Sequence, residues 1–167
     1  MTSDDSIAAV RDAFATSEEP VSAEEFIDRA NVQMPPGMRL IGAECVQAHV
    51  ERGELWLRFT LDEQFSNVVG FIGGGYVAQM LDQSATYAAT MLTGRAAPST
   101  NLSASFIAPA RPGTFECLGR VIRAGKSVAF LYAELFDQTG QLVATASVTS
   151  QLMSRKGLAD RARKAQP

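Results

Sequence analysis

From Gln64 through Gly94 the chain carries one formally charged residue, Asp82. The part of this stretch from Gly74 to Thr93 is rich in Ala, Met, Leu and Gln, all good helix formers, and Gly94 stands where a helix would be capped. A helix with almost no polar face cannot lie on a surface and must be covered by other elements. The flanking segments supply the cover. Glu54 to Leu61 alternates strictly, with Leu55, Leu57, Phe59 and Leu61 facing one way, which is the pattern of a half-buried strand. An apolar-rich run over 41–50 precedes it across an Arg52-Gly53 step, the signature of a hairpin. After residue 96 four more strand-like runs follow, over 99–108, 114–123, 126–137 and 141–153. The breaks between them, Pro109 to Gly113, Ala124-Gly125 and Asp137 to Gly140, are too short for parallel crossovers, so the strands must pair antiparallel. The expected fold class is α+β, a curled antiparallel sheet wrapped around one long central helix.

The chain ends leave room for less. Residues 5–16 and 23–33 read as two short helices, the first behind candidate caps Ser3 and Asp4 with Ile7, Val10 and Phe14 on one face. Ser22 and Glu25 form a candidate capping box for the second, and Pro35-Pro36-Gly37 is expected to end helical structure. The expected organisation is an N-terminal helical extension over 1–37, a main domain over 38–154 and a basic tail over 155–167, containing Arg155, Lys156, Arg161, Arg163 and Lys164.

Composition narrows the function classes. With 167 residues, 15 Lys+Arg and 18 Asp+Glu, the net charge of −3 offers no general attraction for nucleic acid or an anionic membrane. No apolar run approaches the ~20 residues that span a bilayer. The acidic start, Met1 to Asp5, lacks the layout of a signal peptide. Cys45 and Cys117 are too few for a disulfide framework, and a single histidine, His49, argues against a His/Cys zinc site. A cytoplasmic protein without metal is expected.

Asp82 is the residue that packing does not require. Aspartate is a weak helix former, Ala78, Ala85 and Ala89 share its face, and a desolvated carboxylate is costly unless its pKa rises. It reads as a nucleophile or general base held in a partly apolar cleft, against the plainer role of a solvated helix residue. Just upstream, Gly73-Gly74-Gly75 runs into the helix start, where free N–H groups at the positive helix end can bind a carbonyl oxygen or a developing oxyanion. A tight strand-to-helix turn would use the same glycines. Asn67 is a further side-chain donor for that point, or closes its loop as an Asx-turn.

Together these residues resemble a known family. Asn67-x-x-Gly70-x-x-x-Gly74-Gly75-x-x-Ala78-x-x-x-Asp82, followed by Phe106-Ile-Ala-Pro-Ala110 and Arg123-Ala-Gly-Lys126, is similar to the hotdog-fold acyl-CoA thioesterases of the phenylacetic-acid-degradation (PaaI-like) type, over residues 40–153. The resemblance implies hydrolysis of an acyl-CoA thioester, with no cofactor beyond the coenzyme A of the substrate. It implies a homodimer or a dimer of dimers with active sites at the subunit interface. Asp82 falls on the catalytic carboxylate, as base or nucleophile, Gly74 on the backbone N–H that holds the thioester oxygen, and Asn67 on the side chain that assists it. Ser99 or Thr100 matches a hydroxyl near the carboxylate. Gly73 and Gly75 belong to the substrate loop, and Arg123, Gly125 and Lys126 match a turn that meets coenzyme A. Many members have His-Gly-Gly where this chain has Gly73-Gly74-Gly75; Gln79 and Tyr76 are the side chains near enough to stand in. Serine-hydrolase chemistry is excluded because no GxSxG elbow is present. The other readings are a non-catalytic acyl-CoA or lipid-binding module and a hotdog hydratase, for which His49 is wrongly placed.

Overall fold

The computed structural model describes residues 22–154, 156–158 and 160. The helix expected over 5–16 and Arg155, Arg161, Arg163 and Lys164 of the tail lie outside the described residues.

Helix α1 spans Ala23–Val32, and the Ser22 hydroxyl accepts from the Glu25 N–H at 3.2 Å, as the capping pattern predicts. Pro36 does not end helical structure: it opens a second short helix, α2, Pro36–Leu40. Proline suits a first helical position, since its missing N–H has no partner there and its φ is already helical. Arg39 ties the two together, donating to the Met34 and Val32 carbonyls at 2.7 and 2.8 Å. Met34, Met38 and Ile41 are buried in the same apolar core as the sheet.

Six strands follow: β1 Glu44–His49, β2 Glu54–Leu61, β3 Ser99–Phe106, β4 Gly113–Ala124, β5 Val128–Asp137 and β6 Leu142–Gln151. They form one antiparallel sheet in the order β1-β2-β4-β5-β6-β3. In β2 the predicted set Leu55, Leu57, Phe59 and Leu61 is buried, each at most 1% exposed. The Arg52-Gly53 step is a short 3-10 turn closed by Gly53 at φ +62°. Asn31 closes the free edge of β1, its side chain accepting from the Cys45 N–H and donating to the Cys45 carbonyl at 2.7 and 2.9 Å. That leaves β3 at the opposite edge, with most of its residues exposed.

The central helix, α3, spans Gly74–Thr93 and ends at Gly94 in the left-handed region, φ +64°. It lies in the concave side of the sheet and buries Val77, Met80, Leu81, Ala85, Ala88, Ala89 and Met91. Its closest approach is at Gly119 in β4. A Cβ there would stand 1.9 Å from the Ser84 carbonyl oxygen, so only glycine lets the helix backbone sit on the strand. Gly119→Ala is therefore expected to lift the helix and cost about 1–3 kcal/mol or more, read as a lower midpoint in urea unfolding.

Candidate active site

The start of α3 separates two clefts. The first, about 460 Å³, is lined by Gly75, Ala78, Gln79, Asp82, Ser99, Thr100, Asn101 and Leu102. The second, about 390 Å³, is lined by Asn67, Gly74, Val77, Phe106 and Val143 with the apolar turn leading to Ala110. The carboxylate and the predicted oxygen-binding groups of one chain therefore occupy different clefts.

In the first cleft Asp82 is half-buried, and its Oδ1 is buried without a hydrogen-bond partner. Burial pushes its carboxyl above the usual aspartate range, and the Ser99 side chain opposes part of that shift by favouring the charged form. Among the described residues no charged side chain other than Asp82 lines the cleft. The structure distinguishes the two hydroxyl candidates. Ser99 acts on Asp82, whereas Thr100 donates to the Thr149 carbonyl at 3.0 Å. Between Ser99 and Asn101 the pairing of β3 with β6 slips by one residue, a bulge that places both hydroxyls at the mouth of the cleft.

In the second cleft Asn67 closes its own loop. Its Oδ1 accepts from the N–H groups of Val69 and Phe71 at 3.0 and 3.2 Å, the Asx-turn role. The amide Nδ2 is left as the group it can offer to a ligand. Gly73 is the N-cap of α3, and its own N–H is engaged by the Phe65 carbonyl at 3.0 Å. The N–H groups of Gly74 and Gly75 have no partner among the described residues, as the first turn of a helix dictates. Gly74 lies under the Phe106 ring, and a Cβ on Gly75 would meet open space. The Tyr76 ring covers Gly73 and stacks edge-on against Phe65 at 5.0 Å. Gln79 instead faces the Asp82 cleft.

Arg123, Gly125 and Lys126 form the exposed β4–β5 turn and line neither cleft. The turn nevertheless shares one end of the sheet with the carboxylate cleft, because Ala124, Ala129, Ser150 and Ser99 make one cross-strand row. Arg95 holds it, donating to the Lys126 carbonyl at 2.6 Å and the Leu152 carbonyl at 2.7 Å. Arg95 is not among the residues the sequence singles out; its signal is a lone cation directly after a long helix whose single charge is Asp82, and after its glycine cap. Among the described residues no three His, Cys, Asp or Glu side chains gather to hold a metal ion.

A family model described as the thioesterase superfamily matches residues 69–144. Acyl-coenzyme A thioesterase 13 of Mus musculus is 31% identical over 96 residues, which cover 55% of this chain and 68% of that protein. A phenylacetic acid degradation-related protein from Ralstonia eutropha JMP134, of known structure, is 30% identical with a TM-score of 0.68 and is matched over 98% of its length and 75% of this chain. The chain belongs to the thioesterase superfamily. The one sheet around one helix is the hotdog fold of these thioesterases, as the resemblance implied. The smu.793 protein of Streptococcus mutans UA159, solved bound to acetyl CoA, shares this fold at 23% identity and a TM-score of 0.61, over 67% of this chain and 89% of that one. Among the described residues of this thioesterase-family chain, no helix is long and apolar enough to cross a membrane.

Proposed function

We propose that the chain hydrolyses acyl-CoA thioesters in sites shared between two copies of itself. The observation that carries the reading is Asp82, a desolvated carboxylate without a cationic partner, open to a cleft beside Ser99. A carboxylate in that state is a stronger base than one in water, and no structural contact requires it. The names of relatives support the substrate class, from acyl-coenzyme A thioesterase 13 to the protein solved with acetyl CoA.

The chemistry follows from the two clefts. Water attacks the thioester carbonyl carbon while Asp82 accepts its proton, or the carboxylate itself attacks and water releases the acid in a second step. The carbonyl oxygen gains charge and is held by the Gly74 N–H at the positive end of α3, with the Asn67 amide beside it. The C–S bond then breaks, and coenzyme A leaves as the thiolate that takes up the proton. Ser99 steadies the carboxylate, while Arg123 and Lys126 stand at the same sheet end as cations for coenzyme A phosphates. Since the Asp82 and Gly74 clefts are separate in one chain, a second copy supplies the oxygen-binding half. The exposed edge strand β3, with Phe106 at its end and Ile107 just after it at 59% and 56% exposure, is the surface that pairing would cover.

Free-thiol release from a panel of short, long and aromatic acyl-CoAs tests this. Saturable turnover on at least one of them is expected; binding without thiol release across the panel would contradict it.

A further inference from the structure

Phe130 has no place in the chemistry above, yet it lies 52% exposed on the convex face of the sheet. It alternates in β5 with buried Ala129 and Leu131, so its ring points away from α3. Val128 on the same face and Ile122 in the β4 bulge are 37% and 61% exposed, close to it in register. A single exposed apolar side chain needs no explanation, but packing gives no reason to gather three at one sheet end. Directly opposite Phe130 in β4 is Arg123, and opposite residues share a face, so both side chains lie on the convex side. Arg123 and, in the adjoining turn, Lys126 make no ion pair among the described residues. The acids of β2 and β5 nearest in register, Glu54 and Glu134, are already held by Arg120 at 3.3 and 3.8 Å. The patch is therefore an exposed aromatic ring with two uncompensated cations, the set of groups that takes up a base and phosphates together. Its cross-strand row continues through Thr149 in β6 to Asn101 in β3, and Asn101 lines the Asp82 cleft. Strand spacing puts Phe130 about 10 Å from Asn101 along that row.

We infer that Phe130 is the platform on which the adenine ring of coenzyme A stacks, while Arg123 and Lys126 hold its phosphates. The inference rests on the reading of acyl-CoA as substrate and adds the group that recognises its base. Adenine offers an apolar face to an aromatic ring and needs no hydrogen bond to stack there. The turn beside the ring is already ordered. Arg95 holds the carbonyls of Lys126 and Leu152, and the Gly125 N–H donates to the Val128 carbonyl at 2.8 Å, so little ordering remains to be done on binding. A second copy of the chain fits this patch poorly. A two-fold contact centred on Phe130 would bring Arg123 and Lys126 of both copies together, four cations without acids to pair them.

The test is titration calorimetry of the full chain with coenzyme A, run beside thiol release from one acyl group carried on coenzyme A and on pantetheine, which lacks the nucleotide. Phe130→Ala is expected to weaken coenzyme A binding about tenfold. It should raise KM for the acyl-CoA by a similar factor with kcat unchanged, and leave the acyl-pantetheine kinetics as they are. Phe130→Tyr, which keeps a ring, should hold the wild-type values. Phe130→Leu, apolar but without a ring, should fall with the alanine variant, and replaces it should that variant fail to fold. An unchanged coenzyme A affinity in Phe130→Ala, or an equal rise in KM on both substrates, overturns the proposal. So does a Phe130→Ala chain that loses its oligomeric state and its activity together, which would make the patch a contact between copies. If the wild type binds coenzyme A but releases no thiol, the hydrolase reading falls, while the calorimetry still decides the role of Phe130.

Discussion

Asp82→Asn is expected to lower kcat for thiol release by about 10²–10⁴-fold, the usual contribution of a positioned general base, or more if the carboxylate is the nucleophile. KM should change little, since Asp82 acts on the reacting atoms rather than on the coenzyme A moiety. The same variant should be more stable than its parent at neutral pH. Burial raises the Asp82 carboxyl, so the native chain holds this proton more tightly than the unfolded chain does. Stability therefore falls as pH rises from the ordinary aspartate value through the raised one, and the penalty is fully present above both. Asparagine removes the penalty, so the gain in Tm should be clear at pH 7 and vanish on acidification. For the same reason the acidic limb of the wild-type kcat/KM profile should lie above an ordinary aspartate pKa. A variant that keeps its turnover would remove Asp82 from the chemistry, and one that loses stability at pH 7 would contradict the desolvation of its carboxylate.

Gly74→Pro is expected to fold normally and lose about 10²–10³-fold in kcat, the effect of deleting one oxyanion donor. The substitution is unusually clean here. Gly74 is the first residue of α3, where proline is favoured, and Gly73 before it has φ −60° and ψ 137°, the extended conformation that a residue preceding proline adopts. Its N–H has no partner among the described residues, so no hydrogen bond they make is lost. Gly74→Ala is the control, because it adds the same Cβ, 3.4 Å from the edge of the Phe106 ring, and keeps the N–H. Near-wild-type turnover in the alanine variant and a collapse in the proline variant would assign the effect to the N–H alone. Equal losses in both would mean that the Phe106 contact, not the hydrogen bond, governs the site.

Much of the frame behind these expectations was legible in the sequence, for physical reasons that can be named. The bounds of α3 coincide with the predicted Gly74 to Thr93, because a glycine run and a left-handed Gly94 punctuate an otherwise uniform helix former. The strands followed from period-two patterning and from connections too short to cross over. What escaped notice depends on which residues meet across the sheet. Gly119 reads as an ordinary strand glycine until α3 is laid on it. Ser99 and Thr100 could not be told apart, since the bulge between Ser99 and Asn101 breaks the alternation that would have assigned them to faces. The second helix at Pro36 is hidden because proline ends one helix and begins another equally well. Asn67 kept both of its readings: the structure uses its carbonyl oxygen for the turn, and its amide remains the proposed donor.

The central claim is that Asp82 of one copy works with Gly74 of another, and co-expression of Asp82→Asn and Gly74→Pro chains tests it most directly. Each variant alone carries one defect in every site. In a mixed dimer of shared sites, one site collects both defects and the other has none. Random pairing should then restore about a quarter of wild-type thiol release, from two nearly inactive parents. Turnover of the mixture no higher than the mean of the parents, with mixed dimers shown to form, would contradict a site built across two chains.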